Sequence, residues 1–429
     1  MNDEALWGII QRISGAQEKE RLGLLEQLRS IDPLCRPLYA AFLADAVKRA
    51  ESPRHWDRDA LIKDVIERDQ KEFWIPAGVT EADRSWLCLA TMTGGAFGAW
   101  LEELALASPH FPARLPTIND LELDRRYRVM AGLEPMAVDT IYRPLQPDIV
   151  GEFFVLKHLT QGQRAVWSKD ISLWLKVAWE KRPSHMAVFL SRLGTDFIDC
   201  GNKFDNSDPL PYFFAAPASN KIDVKFSWGG MMLDLINYFL EHSTPAKVIS
   251  LCGEVLDHFE DASDPVFGRF VTSALLGKMG ALAKLGRHDE VVAACDVLLA
   301  RSNAALEPYV NKIEKIGAAL LLKANALGRV DRLEEAITAF DAALVSLDSA
   351  SDAIPDAVRA DFDSDFELRV RSVVIQAIIG KALFLRNLGR TAEAKTTIKS
   401  AERTLENIPA GEDAARWKAM ITNVQSLLH

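Results

Sequence analysis

Apolar residues recur at i, i+3, i+4 and i+7 along most of the chain, the spacing that lays one stripe down a helix. Leu22, Leu25, Leu28 with Ile31 form one such run, and Leu61, Val65, Ile66 another. Alternation of period two is confined to 138–145, so a mainly α fold with one small hairpin is expected. Helices are predicted over about 3–13, 18–29, 37–49 and 58–73. Pro37 suits a first helical turn, and Ser52-Pro53 and Pro76 are the breaks. Together these make a helical block over 1–75.

The next stretch, 76–165, reads differently. Thr80 with Asp83 three residues on is a capping-box signature, and Gly94-Gly95 is a stop signal. Further helices are predicted over about 96–106, 121–130 and 149–159, with the hairpin placed before the last of them. Three helices followed by a hairpin is the order of a winged helix. An aromatic-rich segment, 166–245, carries Trp167, Trp174, Trp179, Phe213, Phe214 and Trp228 and reads as a helical cap or linker.

Over 246–429 the chain repeats itself. LGKMGALAKLGRHDEVVAACDVLL, LLKANALGRVDRLEEAITAFDAAL and IGKALFLRNLGRTAEAKTTIKSAERTL align in one register. Val291, Ala336 and Ala394 become equivalent, as do Cys295, Phe340 and Ile398, and then Leu298, Ala343 and Ala401. Small residues fall where two antiparallel helices of a unit cross, and large ones where the next unit stacks. A weaker unit ends at VISLCGEVLDHF. The pattern resembles tetratricopeptide repeats, lengthened by inserts near 301–313 and 347–368, and implies an α-α superhelix that binds a protein or peptide ligand. An α-hairpin bundle without superhelical regularity is the alternative.

With 429 residues the chain has room for two to four domains. Its formal charge of −10 opposes a phosphate backbone and disfavours nucleic acid unless basic residues cluster locally; the candidate cluster, Arg125, Arg126 and Arg128, spreads around a helix and reads first as a solvated face. No membrane-spanning segment and no secretory leader are read. The five isolated cysteines (Cys35, Cys88, Cys200, Cys252, Cys295) fit reduced, buried side chains of a cytoplasmic protein. No phosphate loop, GxGxxG, HExxH or GxSxG occurs. Asp361, Asp363 and Asp365 lack the Gly and Glu of a calcium loop, since Phe366 and Ser372 stand at those positions. The expectation is a non-enzyme with no metal and no cofactor of its own.

The segments NDEALWGIIQRISGAQEKERLGLLEQL and IDPLCRPLYAAFLADAV resemble the part of a STAND NTPase that follows its nucleotide-binding core. Arg36-Pro37-Leu38 sits where that family's proline lies against the nucleotide. Gln146, Pro147 and Asp148 sit where its winged helix carries Met-His-Asp, so Asp148 matches and Pro147 replaces the phosphate-touching His. The resemblance implies a bacterial signal-transduction module whose nucleotide-proximal residues are Arg36, Pro37 and Asp148. ADP or ATP would be held only through a core that is missing here or supplied by a partner, and self-oligomerisation is a further expectation. Asp148 is equally open to a plain role as the N-cap of the helix over 149–159. A stand-alone repeat adaptor is the competing reading. Leu276, Leu321 and Ile379, with Asn325, depart from the Lys and Asn of repeats that clamp chaperone tails. A winged-helix DNA-binding regulator is the third reading.

Overall fold

The computed structural model describes residues 2–49, 56–97, 99–100, 103–104, 126, 129–130, 140–160, 164–197, 209–242, 244–259, 265–304, 309–353, 364–406 and 412–428. The fold is mainly α, as the period-3.6 pattern implies. Two compact units divide the chain at Val224 and Lys225.

The N-terminal unit opens with α1 (Asp3–Ser14), α2 (Arg21–Ile31), α3 (Pro37–Lys48) and α4 (Arg58–Asp69). Their starts follow from local chemistry. The side chains of Asn2 and Asp57 accept from backbone N–H groups of the first turns of α1 and α4. Pro37 occupies the first turn of α3. Residues 18–20 form a 3-10 turn ahead of α2, and Gln70–Trp74 continue α4 as a π turn. Thr80 and Asp83 make the expected reciprocal cap of α5 (Glu81–Thr93), which ends on the left-handed Gly94.

Beyond Gly94 the chain departs from expectation. Ala96–Phe97 form a strand, β1, rather than opening a helix, and pair antiparallel with β2 (Thr140–Tyr142). The two-stranded sheet therefore joins distant segments and is not a hairpin inside 138–145. Burial explains it: Ala96 and Tyr142 are both buried against α5, and the Tyr142 hydroxyl donates to Asp83 at 3.2 Å. The expected helix over 121–130 falls mostly outside the described residues. The unit continues with α6 (Asp148–Leu159), α7 (Arg164–Lys181), α8 (Pro183–Asp196) and α9 (Leu210–Phe214). Trp174, Trp179, Phe213 and Phe214 are buried within this unit, and Trp228 within the other. The side chain of Trp167 lies outside the described residues.

After α10 (Ile222–Glu241) the second unit is a row of helical hairpins. These are α11 (Pro245–Phe259), α12 (Pro265–Lys284), α13 (His288–Ala304), α14 (Tyr309–Arg329), α15 (Leu333–Ala353), α16 (Ser364–Asn387), α17 (Thr391–Glu406) and α18 (Glu412–Leu427). Each packs on the next, α12 also packs on α14 and α14 on α16, so the hairpins stack in line. Among the described residues α12 alone has the length and mean hydropathy (1.2) of a membrane span, with 50% of that window buried in the unit.

All nine residues of the repeat register are buried, none more than 2% exposed. Among the described residues of the inserts near 301–313 and 347–368 the chain is helical: α13 runs to Ala304 and α14 starts at Tyr309, and α15 runs to Ala353 and α16 starts at Ser364. Between α12 and α13, α14 and α15, and α16 and α17 the same turn recurs. Gly286, Asp331 and Gly389 are left-handed (φ 72, 62 and 76°), and Arg287, Arg332 and Arg390 each grip a Glu three residues on at 2.6 Å. Asp331 is the residue whose side chain strains this backbone. Asp331→Gly is expected to raise stability by about 0.5–1 kcal/mol, read as a higher midpoint in thermal unfolding. A lower midpoint would contradict the turn assignment.

Candidate functional site

Two of the three residues singled out by resemblance, Arg36 and Asp148, converge on α8. Arg36 precedes α3 in extended conformation (φ −69, ψ 138), with Pro37 as the first helical residue. Asp32, only 2% exposed, accepts from the Arg36 backbone N–H at 2.7 Å and from its Nε at 3.1 Å. The Arg36 Nη1 donates to Asp196 at the end of α8 at 2.9 Å, and the guanidinium lies 4.9 Å from the Tyr39 ring centroid. Cys35 holds the tight turn before it at φ 49°. The guanidinium is therefore committed between two carboxylates and a ring.

Asp148 is not the N-cap of its helix. That position belongs to Pro147 (φ −70, ψ 161), which follows a cis peptide bond, and no side chain caps the turn. The reason is conformational: the N-cap must be extended, and here the proline is, which leaves Asp148 as the first helical residue. Its carboxylate accepts from Gln146 Nε2 at 3.1 Å and from Arg192 Nη1 at 2.7 Å. An acid in the first turn is still favoured by the helix dipole.

Arg192 is shared. One turn along α6 from Asp148 lies Glu152, 1% exposed, whose Oε1 accepts from Arg192 Nε at 2.7 Å. The Oε2 of Glu152 is buried without a hydrogen-bond partner among the described residues. Burial pushes the Glu152 carboxyl up to about 7, reinforced by the charges of Asp196 and Asp148 and opposed by Arg192. Thus α8 carries Arg192 and Asp196 one turn apart, one gripping α6 and the other the start of α3. Beside them a cleft of about 430 Å³ is lined by Gln146, Asp148, His185 and Arg192 among others.

Local sequence pattern does not single out Glu152, Arg192 or Asp196. A cue exists for Glu152, the lone charge in the apolar run Ile149–Leu156. Its partner lies 40 residues away, and that of Arg36 lies 160 away, beyond any local spacing rule.

Burial pushes the thiols of Cys252 and Cys295 up to about 12 and about 11, and that of Cys88 upward as well. Cys200 lies outside the described residues. No group of three His, Cys, Asp or Glu among the described residues is placed to hold a metal. Asp361 and Asp363 lie outside the described residues. Of the basic cluster, Arg126 is turned inward, 3.3 Å from the Gly78 carbonyl and 3.5 Å from Asp83, while Arg125 and Arg128 lie outside the described residues. No family model matches the chain, nor does any curated protein or solved structure.

Proposed function

We propose that this chain is the non-catalytic regulatory and sensor region of a STAND-type ATPase. The stacked hairpins of the second unit bind a protein or peptide ligand. The first unit relays occupancy to a nucleotide-binding core on an upstream segment or another chain. The observation that carries the reading is the bridge made by α8: Arg36 and Asp148, singled out separately by resemblance, are tied to the same helix through Asp196 and Arg192. A relay needs an element that two sites can bias together, and a helix that holds the starts of α3 and α6 by ion pairs is such an element. Ligand shifts the arrangement only as far as its affinities for the two states differ.

The purified chain is expected to release no phosphate from ATP. When it is immunopurified from its own host, a chain carrying GxxxxGK[ST] is expected to come with it. That chain should be lost from a Pro37→Ala, Asp148→Ala variant of unchanged helicity. Capture of partners without a phosphate loop, unaffected by that variant, would instead favour the adaptor reading. The recurring Arg–Glu turns that make the hairpin row regular supply its structural support.

A further inference from the structure

On the opposite end of α6 from Asp148 lies a second cleft, of about 210 Å³, that the proposed relay does not use. Lys63 and Glu67 of α4, Gln70 of the π turn, Arg84 of α5, and Phe153, Phe154, Lys157 and His158 of α6 line it. Three Lys or Arg side chains and an imidazole face two carboxylates, Glu67 in the lining and Glu81 beside it. In a chain of net charge −10 such a concentration is local and opposes the field of the whole.

Two of these cations are held loosely. In the hairpin turns of the second unit, arginines meet carboxylates at 2.6 Å. In the cleft, Lys63 stands 3.4 Å from Glu67, and Arg84 Nη1 stands 3.4 Å from Glu81. The Nε of Arg84 is buried without a hydrogen-bond partner among the described residues. Glu81, 63% exposed, also lies 3.6 Å from His158 Nδ1, so one exposed carboxylate spans both groups at long range. It is not the cap of its helix, a task done by Thr80 and Asp83, and so it can swing away without uncapping α5.

Beneath the cleft the aromatic side chains are buried against one another. Phe154 stacks on His158 with centroids 5.6 Å apart and meets Trp74 edge-on at 5.8 Å. The Lys157 ammonium lies 5.6 Å from the Phe153 ring centroid. At the rim, the π turn replaces the ordinary helical ladder, with Ile75 N–H donating to the Gln70 carbonyl at 2.9 Å.

We infer that this cleft binds a small phosphate-bearing molecule. Arg84, Lys63, Lys157 and His158 take the phosphate, and the ligand displaces Glu81. Charge-assisted, forked bonds from arginine suit phosphate oxygens, and the loosely met Arg84 has donors to offer.

The test is calorimetric titration of the full chain at low salt with inorganic phosphate, pyrophosphate and phenyl phosphate, beside Arg84→Gln and Glu81→Gln variants checked for unchanged helicity. Saturable binding is expected, tightest for pyrophosphate. Arg84→Gln should weaken it tenfold or more, and Glu81→Gln should tighten it about threefold. The Glu81 arm separates a ligand site from a structural cluster, since mere loss of an ion pair would not improve binding. No saturable binding of any of the three, or binding unmoved by both variants, overturns the inference.

Discussion

Phe340→Ala is expected to destabilise the C-terminal unit by about 3–5 kcal/mol, a large share of the roughly 5–15 kcal/mol typical of a folded domain. Phe340 is fully buried on α15, in one apolar cluster with Leu321, Ala324 and Leu327 of α14 and Ala377 of α16. Its ring lies so close to α16 that a Cβ added to Gly380 would meet it at 2.5 Å, and Phe384 lies 5.5 Å from it. Neighbouring helices cannot close over the void without sliding a whole hairpin, so the cavity persists and its cost is near the top of the range. In a row of hairpins each unit is supported only by its neighbours, so loss here loosens α14 to α17 together. Hydrogen exchange should rise over 333–387 first, with the denaturation midpoint lowered. An unchanged midpoint would mean that the repeat register is wrong.

Glu152→Gln is expected to abolish a fall in stability between pH 4.5 and 7. The folded carboxyl titrates at about 7, above its ordinary 4.5, because it is buried among Arg192, Asp196 and Asp148. In that window the folded chain keeps a proton that the unfolded chain has released. Stability from this group is therefore complete below 4.5, is lost as pH rises to 7, and stays lost above. The difference at pH 8 is about 3 kcal/mol. Glutamine has the same shape and no charge to desolvate, so the variant should be the more stable chain at pH 8 and nearly level with wild type at pH 4.5. Urea denaturation of both chains at four pH values reads the effect. Parallel profiles would show that Glu152 is solvated or fully paired.

These two residues also mark what the sequence reveals and what it hides. Phe340 is legible because a helical hairpin is a local object. Its register with Cys295 and Ile398 follows from repeat spacing, and all three are buried as that spacing requires. The turns at Gly286 and Gly389 are legible for the same reason. Strand β1 is not: Ala96–Phe97 carry no alternation of their own and become a strand only because Thr140–Tyr142 pairs with them. Asp148 stands one residue away from the capping position that its residue type suggests, since an extended Pro147 takes the cap. The partners that give Arg36 and Asp148 a shared anchor, Asp196 and Arg192, come from a helix whose own pattern shows only an apolar face. Long-range ion pairs leave no periodic trace.

The sensor reading is tested most directly by cross-linking mass spectrometry of the untagged protein in its own cells. Cross-links from Lys48 and Lys63, on the helices that follow Arg36, to a chain or segment bearing a phosphate loop are the predicted result. Those links should change in pattern when cells are depleted of ATP. Cross-links confined to the hairpin row, with no nucleotide-binding sequence among the partners of the first unit, would contradict it.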